Sequence, residues 1–446
     1  MINFKKQTQP LKGDIKVLGD ADISYFSIIM ASLAIGQSKI YGLLEDKKSI
    51  NLIEIFKQFG IKIEKCTDSN WIIYGNGLKN LTEPINIIDI KLSDKILYLL
   101  IGLLSSYNFK IFFKGDDKIS DLNLKHVFEI FKSVNINFIG RKDEHLPFLM
   151  MGDINKKAIN YEVKDYNSII KSVMLLASLN GDPEKENVVI EKERSRNHLE
   201  ILMKYFGVLF EEHDIRSKSS LSLRVGKEIV IKSGQSFIGK EIIIPSDISF
   251  SSFIASLAIL IPDSNITLKN VLMNHYRDAF FRTLIDIGAD ITFINQKIVC
   301  GEKISDINIK YGTLRNTIIP ANRMYKMMYE YPVLIFIACM ANINIEIQGI
   351  KLIKAQELDN YNSILIAMKE IGVVFEENED SLKVKSKNIN FDKKIVVDNK
   401  IEDPRIKLMI AFLGLFLNNS VEIDQSIEDD FPNLKEFLID IGLNIE

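Results

Sequence analysis

The sequence predicts an α/β chain of α+β repeats, and three observations carry that expectation. One pattern recurs six times: an amphipathic helix, a small turn residue, then two or three alternating apolar residues. It reads "IEIFKQFGIKIEK" (53–65), "VFEIFKSVNINFIG" (127–140), "LEILMKYFGVLFEEH" (199–213), "FFRTLIDIGADITFI" (280–294), "ILIAMKEIGVVFEEN" (364–378) and "LKEFLIDIGLNIE" (434–446). The turn positions Gly60, Asn135, Gly207, Gly288, Gly372 and Gly442 lie 75, 72, 81, 84 and 70 residues apart, so each unit is too small to be comfortable alone. Finally, 446 residues with 47% hydrophobic content can bury two large cores, which puts three units in each of two domains.

Each element has a local reason. The helices repeat apolar residues at i, i+3 and i+4 and so bury one face. The turn residue suits a C′ position that needs positive φ. The alternation that follows is the mark of a half-buried strand. Further short strands read at Trp71-Ile72-Ile73-Tyr74 and Val188-Val189-Ile190, whereas "SVMLLASL" (172–179) and "SFIASLAIL" (252–260) are apolar nearly all round and predict buried helices. Residues 17–27, "VLGDADISYFS", run from a strand end through Gly19-Asp20 into an apolar helix. Such a turn can hold an anion on backbone N–H groups, yet it carries Asp20 and Asp22 and no cation. Carboxylates at a helix start can also simply cap it.

Composition excludes several classes. With 56 basic and 59 acidic residues the net charge is −3, and no basic block marks a nucleic-acid or membrane surface. Cys66, Cys300 and Cys339 are odd in number and contain no CxxC, which argues for a reducing compartment. The five histidines, His126, His145, His198, His213 and His275, lack metal-ligand spacing, and "GDDKISD" (115–121) has a calcium loop's aspartates without its spacing. No metal or cofactor is expected. Met1-Ile2-Asn3-Phe4 has no basic n-region, and no apolar run reaches about 18 residues, so the expectation is a cytoplasmic protein.

The stretches "GDADISYFSIIMASLAIGQSKIYGLLE" (19–45), "KSVMLLASL" (171–179), "SRNHLE" (195–200), "IPSDISFSSFIASLAIL" (244–260), "NVLMNHYRDAF" (270–280), "GADITFINQKIVCGEKISDINI" (288–309), "EYPVLIF" (330–336) and "DPRIKLMIAFLGL" (403–415) resemble the enolpyruvyl transferases, in detail the EPSP synthase family and its glyphosate-insensitive class. The likeness runs from about residue 9 to the C-terminus. It implies two inside-out α/β barrel domains of three βαβαββ-like units each, bounded as 20–243 and as 1–19 plus 244–446. It also implies transfer of an enolpyruvyl group from phosphoenolpyruvate to shikimate 3-phosphate, with no cofactor, in the shikimate pathway. A protein partner is not named by it.

The resemblance maps the site residue by residue. The family's Gly-Asp-Lys-Ser-Ile-Ser-His-Arg has Ala21, Asp22 and Phe26 at its Lys, Ser and Arg. The next small-residue turn corresponds to "KLSDKILY" (91–98), with Lys91, Leu92 and Asp94 in the turn and Tyr98 at an arginine. The Arg of Arg-Pro-Met aligns with Leu122, and Ser-Ala-Gln with Asn167, Ser168 and Ile169. The expected general base, the Asp of Asp-Glu-(Tyr/Leu)-Pro, is Tyr329. In Lys-Glu-Ser-Asp-Arg the Glu and Asp remain as Glu357 and Asp359, beside Gln356 and Asn360. Arg196, Glu357 and Arg405 persist as ligand or catalytic candidates.

Other readings stand beside these. Arg196 opens a helix and suits a cap or the surface as well as a sugar phosphate; Glu357 suits an exposed helix end as well as a vestigial acid; Arg405 suits an ion pair with Asp403. Both family substrates are small polyanions, and charge-assisted hydrogen bonds contribute about 1.5–3 kcal/mol each. Four or five lost cations therefore remove roughly 6–15 kcal/mol of gross interaction, against the roughly 8 kcal/mol of a micromolar complex. A phenol is also a poor base near neutral pH. An AT-rich genome would exchange Arg for Lys and keep the charge, whereas Phe26, Tyr98, Leu122 and Asn360 keep none. A degenerate homologue is thus expected, one that keeps the fold and a scaffolding or subunit-binding role. The alternatives are an active transferase with substitute ligands from Lys91, Lys95, Lys118 and Lys171, and an enzyme or binder for a less charged ligand.

Overall fold

The computed structural model describes residues 1–446 apart from 92, 117–118, 143, 165, 216–225, 386–388 and 398–400. The chain divides into two compact units, a terminal unit of Met1–Asp20 with Pro245–Glu446 and a central unit of Ala21–Ile244. All six turn positions of the repeat adopt left-handed backbone, with φ between 74° at Asn135 and 98° at Gly288. The helices before them, Lys47–Gln58, Lys125–Ser133, His198–Phe206, Ala279–Asp286, Ile350–Glu370 and Leu434–Asp440, each stop at that turn. The i, i+3, i+4 pattern and the positive-φ stop therefore work as one local signal.

One complete repeat in the central unit shows the plan. Ile88–Ile90 runs parallel to Lys110–Gly115, which is antiparallel to His145–Met151, itself antiparallel to Asn137–Arg141. The helix Asp94–Leu104 links the parallel pair and Lys125–Ser133 precedes the hairpin, which gives βαβαββ. Among the described residues, five four-stranded sheets share this order. The sixth repeat is completed by the other chain end. Ile2–Phe4 pairs antiparallel with Val421–Ile423, and Asn3 exchanges backbone hydrogen bonds of 2.9 and 3.0 Å with Glu446.

Within each unit the apolar helices lie inside and the sheets outside. In the central unit Ala21–Leu33, Asp94–Leu104 and Ser168–Leu179 are buried on nearly every face. Their counterparts in the terminal unit are Ile248–Leu260, Tyr331–Met340 and Pro404–Ala411. This is the inside-out arrangement that helices without a polar face require. Close approach is bought by small residues: a Cβ on Gly102 would stand 2.5 Å from the Val173 carbonyl oxygen, and one on Gly414 2.5 Å from that of Phe4.

The chain leaves the terminal unit after Asp20 and returns to it at Pro245, and the segments on the terminal side of these two points run antiparallel. Gly19 bridges to Ser246, the Asp20 N–H donates to the Pro245 carbonyl (2.9 Å), and the Asp247 N–H donates to that of Leu18 (2.8 Å). Asp247 then caps Ile248–Leu260, accepting from the Phe250 N–H at 2.7 Å. No described helix is long and apolar enough to cross a membrane.

Candidate functional site

The residues singled out in sequence gather in two clusters, one in each unit. In the central unit, a recess is lined by Asp22, Phe26, Lys95, Leu99, Ser168, Ile169, Ser172, Arg196 and His198. It leaves room for about one water molecule. Asp22 stands in the first turn of Ala21–Leu33. The cations missing from its own motif reach it from elsewhere: Lys95 Nζ donates to Asp22 Oδ1, and Arg196 Nη1 lies 3.8 Å from Oδ2. Phe26 is buried and forms an apolar wall with Leu99 and Ile169. Lys95 Nζ also lies 6.0 Å from the ring centres of Tyr25 and Phe26.

Asn167, at a family serine, caps Ser168–Leu179 by accepting from the Ile170 N–H at 3.0 Å. Arg196 lies before His198–Phe206 and is 14% exposed, facing the recess rather than bulk solvent. Its segment is anchored through Glu191, whose Oε2 accepts from the Ser195 N–H (3.1 Å) and hydroxyl (2.9 Å). Lys171, considered in sequence as a stand-in ligand, is wholly buried with Nζ 3.0 Å from Glu191 and 2.7 Å from Glu200. Burial alone would lower its ammonium pKa, but Glu200 and Glu191 hold it above the usual lysine value. Its charge is spent inside the fold.

In the terminal unit, Arg405 follows Asp403, the N-cap of Pro404–Ala411. Its Nε donates to Asp403 Oδ1 at 3.0 Å, and its Nη2 donates to Asp403 Oδ2 at 2.5 Å and to Glu357 Oε1 at 3.1 Å. The Asp403 pair anticipated in sequence is present, with Glu357 added to it. Asn360 donates to the same Asp403 Oδ2 at 2.8 Å, and the guanidinium sits 4.5 Å from the centre of the Tyr329 ring. Glu357 is not at an exposed helix end. Its side chain is 9% exposed and its backbone (φ −138°, ψ 40°) breaks the helix Ile350–Glu370 from within. Burial raises its pKa, partly offset by Arg405.

Other named residues stand apart from these clusters. Leu122 occupies a turn, its N–H donating to the Ile119 carbonyl. Tyr98 is half-buried, its phenol pushed up to about 12 by burial and by Asp94. Gln356, Asp359 and Lys91 are exposed and Ala21 is half-buried. Leu92, Lys118 and part of "GDDKISD" lie outside the described residues.

The sequence profile of EPSP synthase (3-phosphoshikimate 1-carboxyvinyltransferase) matches residues 5–438. The chain belongs to the EPSP synthase family. It is 28% identical over 442 residues to the 3-phosphoshikimate 1-carboxyvinyltransferase of Paramagnetospirillum magneticum, covering 99% of this chain and 97% of that one. For the protein of that name from Petrotoga mobilis the identity is 29%, covering 96% of each. In fold it is similar to EPSP synthase from Acinetobacter baumannii, with TM-score 0.87 at 24% identity over 100% of this chain and 99% of that one. It is also similar to the enolpyruvyl transferase NikO from Streptomyces tendae, with TM-score 0.72 at 12% identity over 100% and 98%.

Two buried interactions in the terminal unit were not anticipated from the sequence, one at Glu330 and one joining Arg277 to Asp20. Glu330, the Glu of the motif whose Asp is Tyr329 here, is buried and accepts from the Ser249 hydroxyl. Arg277 and Asp20 form a buried pair beside it. A charge inside the apolar run "MMYEYPVLIF" (327–336) was the available signal for Glu330.

Proposed function

We propose that this chain is an EPSP synthase homologue of the glyphosate-insensitive class in which enolpyruvyl transfer from phosphoenolpyruvate to shikimate 3-phosphate is lost or impaired. The observation that carries this reading is the commitment of the local cations to the protein's own carboxylates. Lys95 and Arg196 face Asp22, and Arg405 serves Asp403 and Glu357. An incoming phosphate or carboxylate would have to exchange those partners, so it gains little from each. The reaction also needs a base for the attacking hydroxyl and charge stabilisation of a tetrahedral intermediate. Tyr329 supplies a phenol already stacked under Arg405, and Glu357 already accepts from that arginine.

The two units are proposed as the two domains, working in a reducing cytoplasm in keeping with the three free cysteines. The test is calorimetric titration of shikimate 3-phosphate with and without phosphoenolpyruvate, paired with a phosphate-release assay. The expected result is no binding tighter than millimolar and no turnover. A micromolar ternary complex would overturn the reading.

A further inference from the structure

We propose that Lys156 is a site of reversible carbamylation: its side-chain amine takes up carbon dioxide, and the carbamate formed pairs with the ammonium of Lys185. Two lysines are buried among the described residues, Lys156 at 4% exposure and Lys171 at 0%. Lys171 is matched by Glu191 and Glu200. Lys156 has no ion pair and no side-chain hydrogen bond among the described residues, and its place inside the fold is set by the loop backbone instead. In that loop the Gly152 and Asp153 N–H groups donate to the Phe109 and Ser105 carbonyls, each at 3.0 Å. The Ile154 N–H donates to Asn108 Oδ1 at 2.9 Å, and the Lys157 N–H to the Val134 carbonyl at 3.2 Å.

The charges around this amine favour an anion there. Lys185 Nζ donates to the carbonyls of Asn155 and of Lys156 itself, at 3.2 and 3.0 Å, so a second cation lies over the same loop. Asp153 is the carboxylate that opposes it, and its Oδ1 already accepts from the Asn155 N–H at 2.8 Å. Burial first, then Lys185, pull the Lys156 ammonium down to about 8. Near neutral pH its free amine is therefore roughly a hundredfold more abundant than that of an ordinary lysine. Carbon dioxide is small and uncharged, which suits an amine with so little exposed surface. The Nζ lone pair attacks the carbon, a C–N bond forms, one C=O π pair moves onto oxygen, and a proton leaves Nζ for solvent. The amine and carbon dioxide thus become a carbamate anion and a proton, with no oxidant, reductant or further reagent. A pair of like charges turns into a pair of opposite ones. The neighbourhood also holds an unused acceptor. Asn180 Oδ1 is buried with no hydrogen-bond partner among the described residues, and its segment packs on the same loop: a Cβ on Gly181 would stand 3.5 Å from the Ile154 carbonyl oxygen.

The proposal is independent of whether enolpyruvyl transfer is lost. The experiment equilibrates the full chain with isotopically labelled bicarbonate and carbon dioxide at neutral pH and constant ionic strength. Carbamates are then alkylated to stable esters with an oxonium reagent, and the label is located by peptide mass spectrometry. Label on Lys156 should exceed that on any other lysine side chain by about tenfold or more, and the Met1 α-amino group, an amine of naturally low pKa, is the internal reference. Lys185→Met should cut the occupancy of Lys156 roughly twofold to fivefold, the worth of a partly exposed ion pair. Lys156→Met should lose the label and unfold at a temperature no lower than that of the natural chain, because no carboxylate loses its partner. Lys156→Arg, whose guanidinium stays protonated, takes its place as the unlabelled control if the methionine variant does not fold. Label on Lys156 no greater than on exposed lysines overturns the proposal. So does an occupancy indifferent to Lys185→Met.

Discussion

Arg277 donates from Nη1 to Asp20 Oδ2 over 2.7 Å, and both side chains are buried. The pair ties the end of the first crossover segment to the loop before Ala279–Asp286. The same guanidinium donates from Nη2 to Ser249 Oγ at 3.0 Å and lies 3.8 Å from Asp247 Oδ2, while Ser249 donates to Glu330. Among the described residues, this guanidinium thus serves a neighbourhood with three carboxylates, Asp20, Asp247 and Glu330. Burying that excess of negative charge is unfavourable unless a proton is retained.

Asp247 is where the proton is expected. Burial, then the Asp20 charge, push its carboxyl up to about 7, well above the usual carboxylate range, with Arg277 and the Phe250 N–H pulling the other way. A raised folded-state pKa means that the native protein binds more protons than the unfolded chain between about pH 4 and 7. Stability therefore falls as pH rises through that window and levels off above it. Asp247→Asn keeps an N-cap acceptor and removes the titration. In urea unfolding from pH 5 to 8, the variant should gain on the natural chain as pH rises to about 7. Parallel profiles would refute the assignment.

Lys171 gives a prediction of opposite character. Its ammonium faces both Glu191 and Glu200 in a fully buried setting, so Lys171→Met leaves two carboxylates without their cation. Breaking such a cluster costs about 3–5 kcal/mol, and the urea midpoint should drop accordingly. A lysine serving only as a substrate ligand would lose little stability on the same change. Since Glu191 also holds Ser195, Lys171→Met should loosen the Arg196 segment, measurable as faster amide exchange there.

The sequence made the repeat legible because its signals are local: a 3.6-residue period, a turn at positive φ, then alternation. The place of Ile2–Phe4 was hidden, because pairing with Val421–Ile423 joins opposite ends of the chain. Site residues divided along the same line. Asp22, Phe26, Ile169 and Arg196 were recognisable one by one from the family resemblance, and the fold brings them to one recess. What could not be read was which charge neutralises which. Lys95 and Lys171 both stand in apolar helices, and sequence offered each equally as a stand-in ligand. Tertiary structure separates them: Lys95 faces Asp22 at the recess, and Lys171 is enclosed with two glutamates.

The remaining prediction asks whether the family's first motif, restored alone, restores the reaction. Ala21→Lys with Phe26→Arg returns two cations to Ala21–Leu33, one half-buried and one in place of a 5% exposed ring. Removing the Phe26 ring sacrifices about 1.5–3 kcal/mol of apolar burial, and the new guanidinium would lie against Leu99 and Ile169, near the cations Lys95 and Arg196. Asp22 can compensate only part of that charge, because it already serves both neighbours. A loss of about 2–4 kcal/mol is expected, read as a lower unfolding temperature. Tyr98, Leu122, Ile169, Tyr329 and Asn360 are unchanged in the variant, and catalytic groups act as a unit, so phosphate release should stay at background. Measurable turnover from these two changes would show that Glu357, Arg405 and their neighbours still form a competent site, and would favour the active transferase over the degenerate one.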